Sequence, residues 1–136
     1  MGLDVSHDCW YGAYSAFSRW RDKLADVAGY AFAEIDYDGF KHNTILVDWG
    51  HLQDKLYGDW DKVPSDPLLI LIAHSDCEGL IHPREAKALA DRLETLLPFM
   101  PEGNGGGHIY DWIDVTKKFI DGLREAVAKN EDVTFG

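Results

Sequence analysis

Three stretches of this chain repeat apolar residues at intervals of three and four, and both ends alternate at intervals of two. The first stretch is Tyr14, Phe17, Trp20, Leu24 and Val27, with Ser15, Arg19, Arg21 and Asp22 between them. The second is Ala86, Leu89, Leu93, Leu96 and Leu97, and the third is Trp112, Val115, Phe119, Leu123 and Val127. Such spacing gathers the apolar side chains on one face of a helix, and that face has to be buried against something. The boundary residues agree. Gly29 follows the first stretch, Pro83 opens the second, Pro98 and Pro101 close it, and the third runs from Asp111 to Asn130. Leu3, Val5 and His7 at one end, and Val133 and Phe135 at the other, have the period of strands. The combination predicts an α+β fold in one domain over residues 1–136: three to four helices packed on a small sheet that includes the N- and C-terminal strands as neighbours.

Between these landmarks the pattern is uneven. Ser65-Asp66-Pro67 supplies a capping side chain and a first-turn proline, so the wholly apolar run Leu68 to Ile72 is expected to be a short buried helix. Residues 30–62 are harder to place. Tyr30 to Ala33 fits a strand or a helix tail, Asp36-Tyr37-Asp38-Gly39 fits a turn, and Ile45, Val47 and Trp49 alternate like a strand. Leu52, Leu56 and Tyr57 then fall at helical spacing. Gly103 to Gly107 is expected to be a loop, and it lacks the preceding strand and the lysine of a phosphate cradle.

Charge narrows the partners. Acidic side chains number 24 against 13 basic ones, a formal net charge of −11, which repels nucleic acid and anionic membrane surfaces. The densest basic spots, Lys117-Lys118 and the Arg19/Arg21 pair, are only doublets. A protein partner, most compatibly a basic one, or a cation fits this surface better. With no long apolar run and no secretory leader pattern, the expected setting is the cytoplasm. Cys9 and Cys77 are too few for a disulfide framework. Met1 to Ser6 has the outline of a myristoylation signal, to which Asp4 adds nothing.

The stretch richest in chemistry is His74-Ser75-Asp76-Cys77-Glu78-Gly79. With Gly79 as the sixth position of a twelve-residue calcium loop, His74 to Glu85 fills the frame. Asp76, Glu78 and Glu85 then supply carboxylates and Leu80 its carbonyl, with apolar Ile81 at the eighth position. His74 breaks the pattern, because an imidazole is a poor ligand for a hard, oxygen-seeking ion. His7, Cys9, His74 and Cys77 together have the composition of a tetrahedral zinc site, at spacings that match no known finger. The same stretch also reads as plain structure. Asp76 and Gly79 make a turn, and His82-Pro83-Arg84-Glu85 opens a helix without any metal. His7-Asp8 and His74-Ser75-Asp76 set would-be catalytic partners side by side, whereas triad members converge from separate segments. Nucleotide-binding, nucleophile-elbow and metalloprotease motifs are absent from the sequence.

Met1-Gly2-Leu3-Asp4-Val5-Ser6-His7, the aromatic Trp10-Tyr11-Gly12, the central His74 to Gly79 run and the closing Asp132-Val133-Thr134-Phe135 together resemble a family of small hypothetical proteins from actinobacteria and the bacteriophages that infect them. The resemblance covers both ends and the centre and matches Tyr30 to Lys62 poorly. It maps His7, His74, Asp76, Cys77 and Gly79 onto family positions, with Glu78 where Asp is common. It brings no activity with it and implies a host-cytoplasmic setting.

Three functions follow, in this order. The first is a non-enzymatic accessory protein that binds another protein through an acidic surface bearing aromatic side chains. The second is a metal-binding module using Asp76, Glu78, Leu80 and Glu85, with calcium as the implied cofactor. The third is an enzyme that gathers His7, His74, Asp76 and Cys77 in one pocket. The oligomeric state stays open.

Overall fold

The computed structural model of the chain describes residues 2–103 and 111–136, with residues 37 and 42 described by their backbone alone. The part of the expected glycine loop after Gly103 lies outside the described residues. In chain order the elements are β1 (Gly2–Val5), β2 (Trp10–Ala13), α1 (Tyr14–Val27), β3 (Phe32–Tyr37), β4 (Phe40–Ile45), α2 (Trp49–Leu52), α3 (Leu68–Ile72), β5 (Gly79–Ile81), α4 (Pro83–Leu96), α5 (Trp112–Lys129) and β6 (Val133–Phe135). This is an α+β architecture, with the described strands forming two antiparallel sheets. Among the described residues no helix is long and apolar enough to cross a membrane.

The three amphipathic stretches form the three long helices, and their ends close for local reasons. Gly29 takes φ 92°, and Gly29 N–H and Tyr30 N–H donate to the Asp26 and Ala25 carbonyls, ending α1 in a complete Schellman motif. Asp111 caps α5 by accepting from Ile113 N–H at 2.8 Å and Asp114 N–H at 3.3 Å. Asn130 stops that helix in the left-handed conformation. At α3 the cap is Asp66, which accepts from Leu68 N–H, from the Tyr30 hydroxyl at 2.7 Å and from Arg92 Nε at 2.9 Å. Burial works against that charge, but the three donors hold the carboxyl below its ordinary range.

The four-stranded sheet has the order β2-β1-β6-β5, so the C-terminal strand lies between the N-terminal strand and the strand that leads into α4. Val5 stands opposite Phe135, both buried, which joins the chain ends as their alternation predicts. Against the inner face packs an aromatic cluster. Trp20 stacks on Trp10 at 5.5 Å and meets Phe119 at 4.9 Å, while Phe17 meets Trp10 edge-on at 5.1 Å and Phe135 at 6.2 Å. α5 crosses the β1–β2 turn so closely that a Cβ on Gly122 would fall 2.4 Å from Cys9 Sγ.

Three local expectations need correction. The first strand stops at Val5 and His7 lies in the turn, because Ser6 to Cys9 reverse the chain with His7 and Asp8 at φ 59° and 60°. Asp36 and Tyr37 belong to β3, and only Asp38 and Gly39, at φ 52° and 77°, turn the hairpin. Ile45 ends β4 and Trp49 opens α2, since Asp48 caps that helix through its carboxylate on His51 N–H.

Candidate functional site

The sequence nominated the loop between α3 and α4, and the structure places it at a crossing of backbone segments. His74 is buried, with Nδ1 2.8 Å from the Ser75 carbonyl and Nε2 2.9 Å from the Leu80 carbonyl. Its ring stacks on Phe135 at 3.9 Å. Arg21 from α1 donates to the His74 and Leu71 carbonyls at 2.7 and 3.2 Å, closing the end of α3. Ser75 N–H donates to the Leu56 carbonyl and Leu80 N–H to the Tyr57 carbonyl, so residues 56–58 are laced to the loop. Ser75 Oγ accepts from Cys77 N–H at 3.2 Å.

The proposed calcium ligands are spread over these jobs. Glu85 is buried at the start of α4 and paired with Arg84. Glu78 is exposed, and its charge acts on the nearby Tyr57 hydroxyl. The Leu80 carbonyl faces His74 Nε2, and Asp76 is half-buried in the field of Arg21. The helix-loop-helix frame is present without a gathered set of oxygen ligands. Nor do the zinc-type residues meet. Among the described residues, no three His, Cys, Asp or Glu side chains are grouped to hold a metal ion. His7 and Cys9 sit at the β1–β2 turn, His74 is engaged as above, Cys77 is exposed, and both cysteines are free. Burial pushes the Cys9 thiol up to about 12, with Glu125 and Asp8 adding to the effect, so it stays an unreactive thiol.

The enzyme arrangement is not assembled either. His7 borders a cavity of about 360 Å³ whose other walls include Asp8, Asp114, Lys118, Asp121 and Glu125, without His74, Asp76 or Cys77. A hydrogen-bonded series does run through His7. Ser6 Oγ lies 2.8 Å from Nδ1, and Nε2 lies 2.9 Å from Glu131 Oε1. Ser6 Oγ also accepts from Thr134 N–H at 2.8 Å, and Glu131 is half-exposed. The series therefore works as a clasp. It holds two left-handed non-glycine residues in place, each costing about 1–3 kcal/mol, and ties their turn to the end of α5. A cavity of about 840 Å³ beside α2, lined by Leu52, Trp60, Pro64 and Leu69, carries Asp54 and Asp61 against Lys55 and Lys62 and so favours neither sign of ligand.

Burial lowers the His74 ring below its ordinary 6.5, and the two carbonyls restore part of that loss before Arg21 lowers it again. A folded value below the unfolded one makes the contribution of neutral His74 complete above 6.5 and lost as pH falls from there toward the folded value. The melting temperature is therefore expected to drop as pH falls below about 6.5. His74→Gln, which keeps an N–H donor for one of the two carbonyls without a titrating ring, should flatten that slope. An equal slope in the variant would assign the acid sensitivity to another group.

What the sequence did not nominate is the β3–β4 hairpin. It is a separate two-stranded sheet, joined to the body at its base through Ile45 and Phe32. Ile35 is 46% exposed and Phe40 70%, and beyond the hairpin Leu46 and Trp49 are also exposed. Leu46 N–H donates to the Ala31 carbonyl at 2.8 Å, which sets the ladder. Alternation then turns the N–H and C=O groups of Phe32, Glu34 and Asp36 outward on β3, and those of Lys41, Asn43 and Ile45 outward on β4. Trp49 Nε1 occupies the Ile45 carbonyl at 3.0 Å. Among the described residues the three outward positions of β3 have no hydrogen-bond partner. The alternation of Ala33, Ile35 and Tyr37 with Glu34 and Asp36 was the available signal. No family model, curated protein or solved structure matches the chain.

Proposed function

We propose that this chain is a non-enzymatic accessory protein that acts by binding another protein, with the β3–β4 hairpin as its docking element. Its setting would be the cytoplasm of an actinobacterium or of a phage-infected one, as the sequence resemblance implies. The observation that carries the reading is the hairpin itself. A lone two-stranded sheet is marginal in water, and this one turns Ile35 and Phe40 to solvent and has no strand paired to its β3 edge among the described residues. An unpaired strand edge is a template for pairing with another chain. The surface around it is acidic, with a net charge of −11.

Phe40→Ser and Ile35→Ser should leave the melting temperature nearly unchanged, within about 0.5 kcal/mol of stability, because both side chains are largely in solvent. Each should strip from the protein, used as bait in an actinobacterial lysate, a specific partner that the wild type retains. Raising the salt should weaken that capture. Retention of the same proteins by wild type and both variants would remove the hairpin from the function.

A further inference from the structure

The identity of the docked segment can be narrowed, on the reading that the hairpin is the docking element. A strand added to the β3 edge would hydrogen-bond to Phe32, Glu34 and Asp36, the residues whose main-chain groups point outward. Paired residues in adjacent strands share a face, so the side chains opposite Glu34 and Asp36 would lie directly across from two carboxylates. The incoming residue between them would lie opposite Ile35, on the face that also bears Phe40.

Charge decides between occupants. The hairpin carries Glu34, Asp36 and Asp38 against Lys41, which already pairs with Glu34 at 3.4 Å. A second copy adding antiparallel through its own β3 would bring Glu34 against Glu34 in the register that uses all three open positions, and Glu34 against Asp36 in the register shifted by one pair toward the turn. Like charges directly opposite are destabilising. The β4 edge is the poorer acceptor, because Trp49 already holds the Ile45 carbonyl. Near the hairpin base, Asp22 and Asp26 line a cavity of about 350 Å³ together with Arg19, Lys23, Phe32 and Trp112. Burial pushes the Asp22 carboxyl above its ordinary value, and Arg21 opposes the push.

We infer that the partner segment is an extended strand with Lys or Arg at alternate positions and apolar residues between them, added to the edge of β3. The open main-chain groups give the strand its path, the two carboxylates select its basic positions, and Ile35 selects the apolar position between them.

The test uses the full chain and three synthetic peptides with blocked ends. One alternates Val and Lys, one has the same composition with the Lys residues adjacent, and one alternates Val and Glu. The alternating Lys peptide should bind and slow amide exchange at Phe32, Glu34 and Asp36 by about tenfold or more. The adjacent-Lys and Glu peptides should bind at least about tenfold more weakly. Glu34→Lys with Asp36→Lys should reverse the preference toward the Glu peptide. Glu34→Pro removes one outward N–H without touching the internal ladder and should weaken the alternating peptide while the hairpin persists. Equal binding of the two Lys peptides, or binding without protection of the β3 amides, would overturn the inference. If lysate capture depends on Phe40 while the alternating peptide leaves β3 unprotected, the edge assignment falls and the docking hairpin stands. If the Phe40 and Ile35 substitutions change nothing and no peptide binds, both fall.

Discussion

Trp20→Ala is expected to cost about 3–5 kcal/mol, which is a large share of the roughly 5–15 kcal/mol that holds a domain of this size together. Trp20 is fully buried, stacked on Trp10, tilted against Phe17 and in contact with Phe119, so truncation opens a cavity with aromatic walls on three sides. Those neighbours come from β2, α1 and α5, elements fixed by their own ladders and caps, and they cannot all move in to fill the space. The indole also donates to Thr116 Oγ1 at 3.0 Å, while Thr116 donates its proton to the Trp112 carbonyl at 2.7 Å. Removing the indole strands a buried hydroxyl lone pair as well. Trp20→Phe keeps most of the ring contact and loses the donor, so it should cost less, about 1–3 kcal/mol. Urea unfolding of both variants checks this. Equal losses would mean that the hydrogen bond, and not the ring volume, dominates at this position.

The parts of the fold legible from sequence are those in which one physical demand sets the pattern. The apolar faces of α1, α4 and α5 answer only to the core, and Asp111, Pro83 and Gly29 mark their ends by rules that need no tertiary knowledge. The pairing of the terminal strands was legible for the same reason, since Val5 and Phe135 are buried residues in alternating segments. Within β3 and β4 the usual demand is reversed. Ile35 and Phe40 are exposed, so burial does not set that pattern and periodicity could not separate strand from turn over residues 36–39. At Trp49 the side chain serves the backbone, donating to Ile45, and so mimics a continuing strand in the sequence.

The central motif was legible as unusual but not as to purpose. An imidazole, carboxylates and a glycine at loop spacing point equally to a ligand site and to a backbone crossing. Which one obtains depends on what lies across the loop. Residues 56–58 lie there, in the stretch whose structure the sequence left open. Glu85 shows the same ambiguity, since its place at the start of α4 fits a last calcium ligand and a helix-opening carboxylate alike.

Gly58→Ala tests the backbone crossing, with an expected loss of about 2–4 kcal/mol. Gly58 holds φ 96°, and a Cβ there would fall 2.0 Å from the Leu80 carbonyl oxygen, the same oxygen that faces His74 Nε2. A carbonyl held by β5 cannot rotate away as a flexible side chain would. The methyl must push residues 56–58 off the loop and break the hydrogen bonds to Leu80 and Ser75. Gly29 supplies the control, because it holds φ 92° and a Cβ there would meet nothing within 4 Å. Gly29→Ala should therefore cost only the conformational part, about 1 kcal/mol. The gap between the two losses in thermal unfolding measures the contact at Leu80. A Gly58→Ala variant no less stable than Gly29→Ala would show that the loop does not depend on the segment packed against it. The polar side chains of His74 to Glu78 would then need a purpose other than holding the fold.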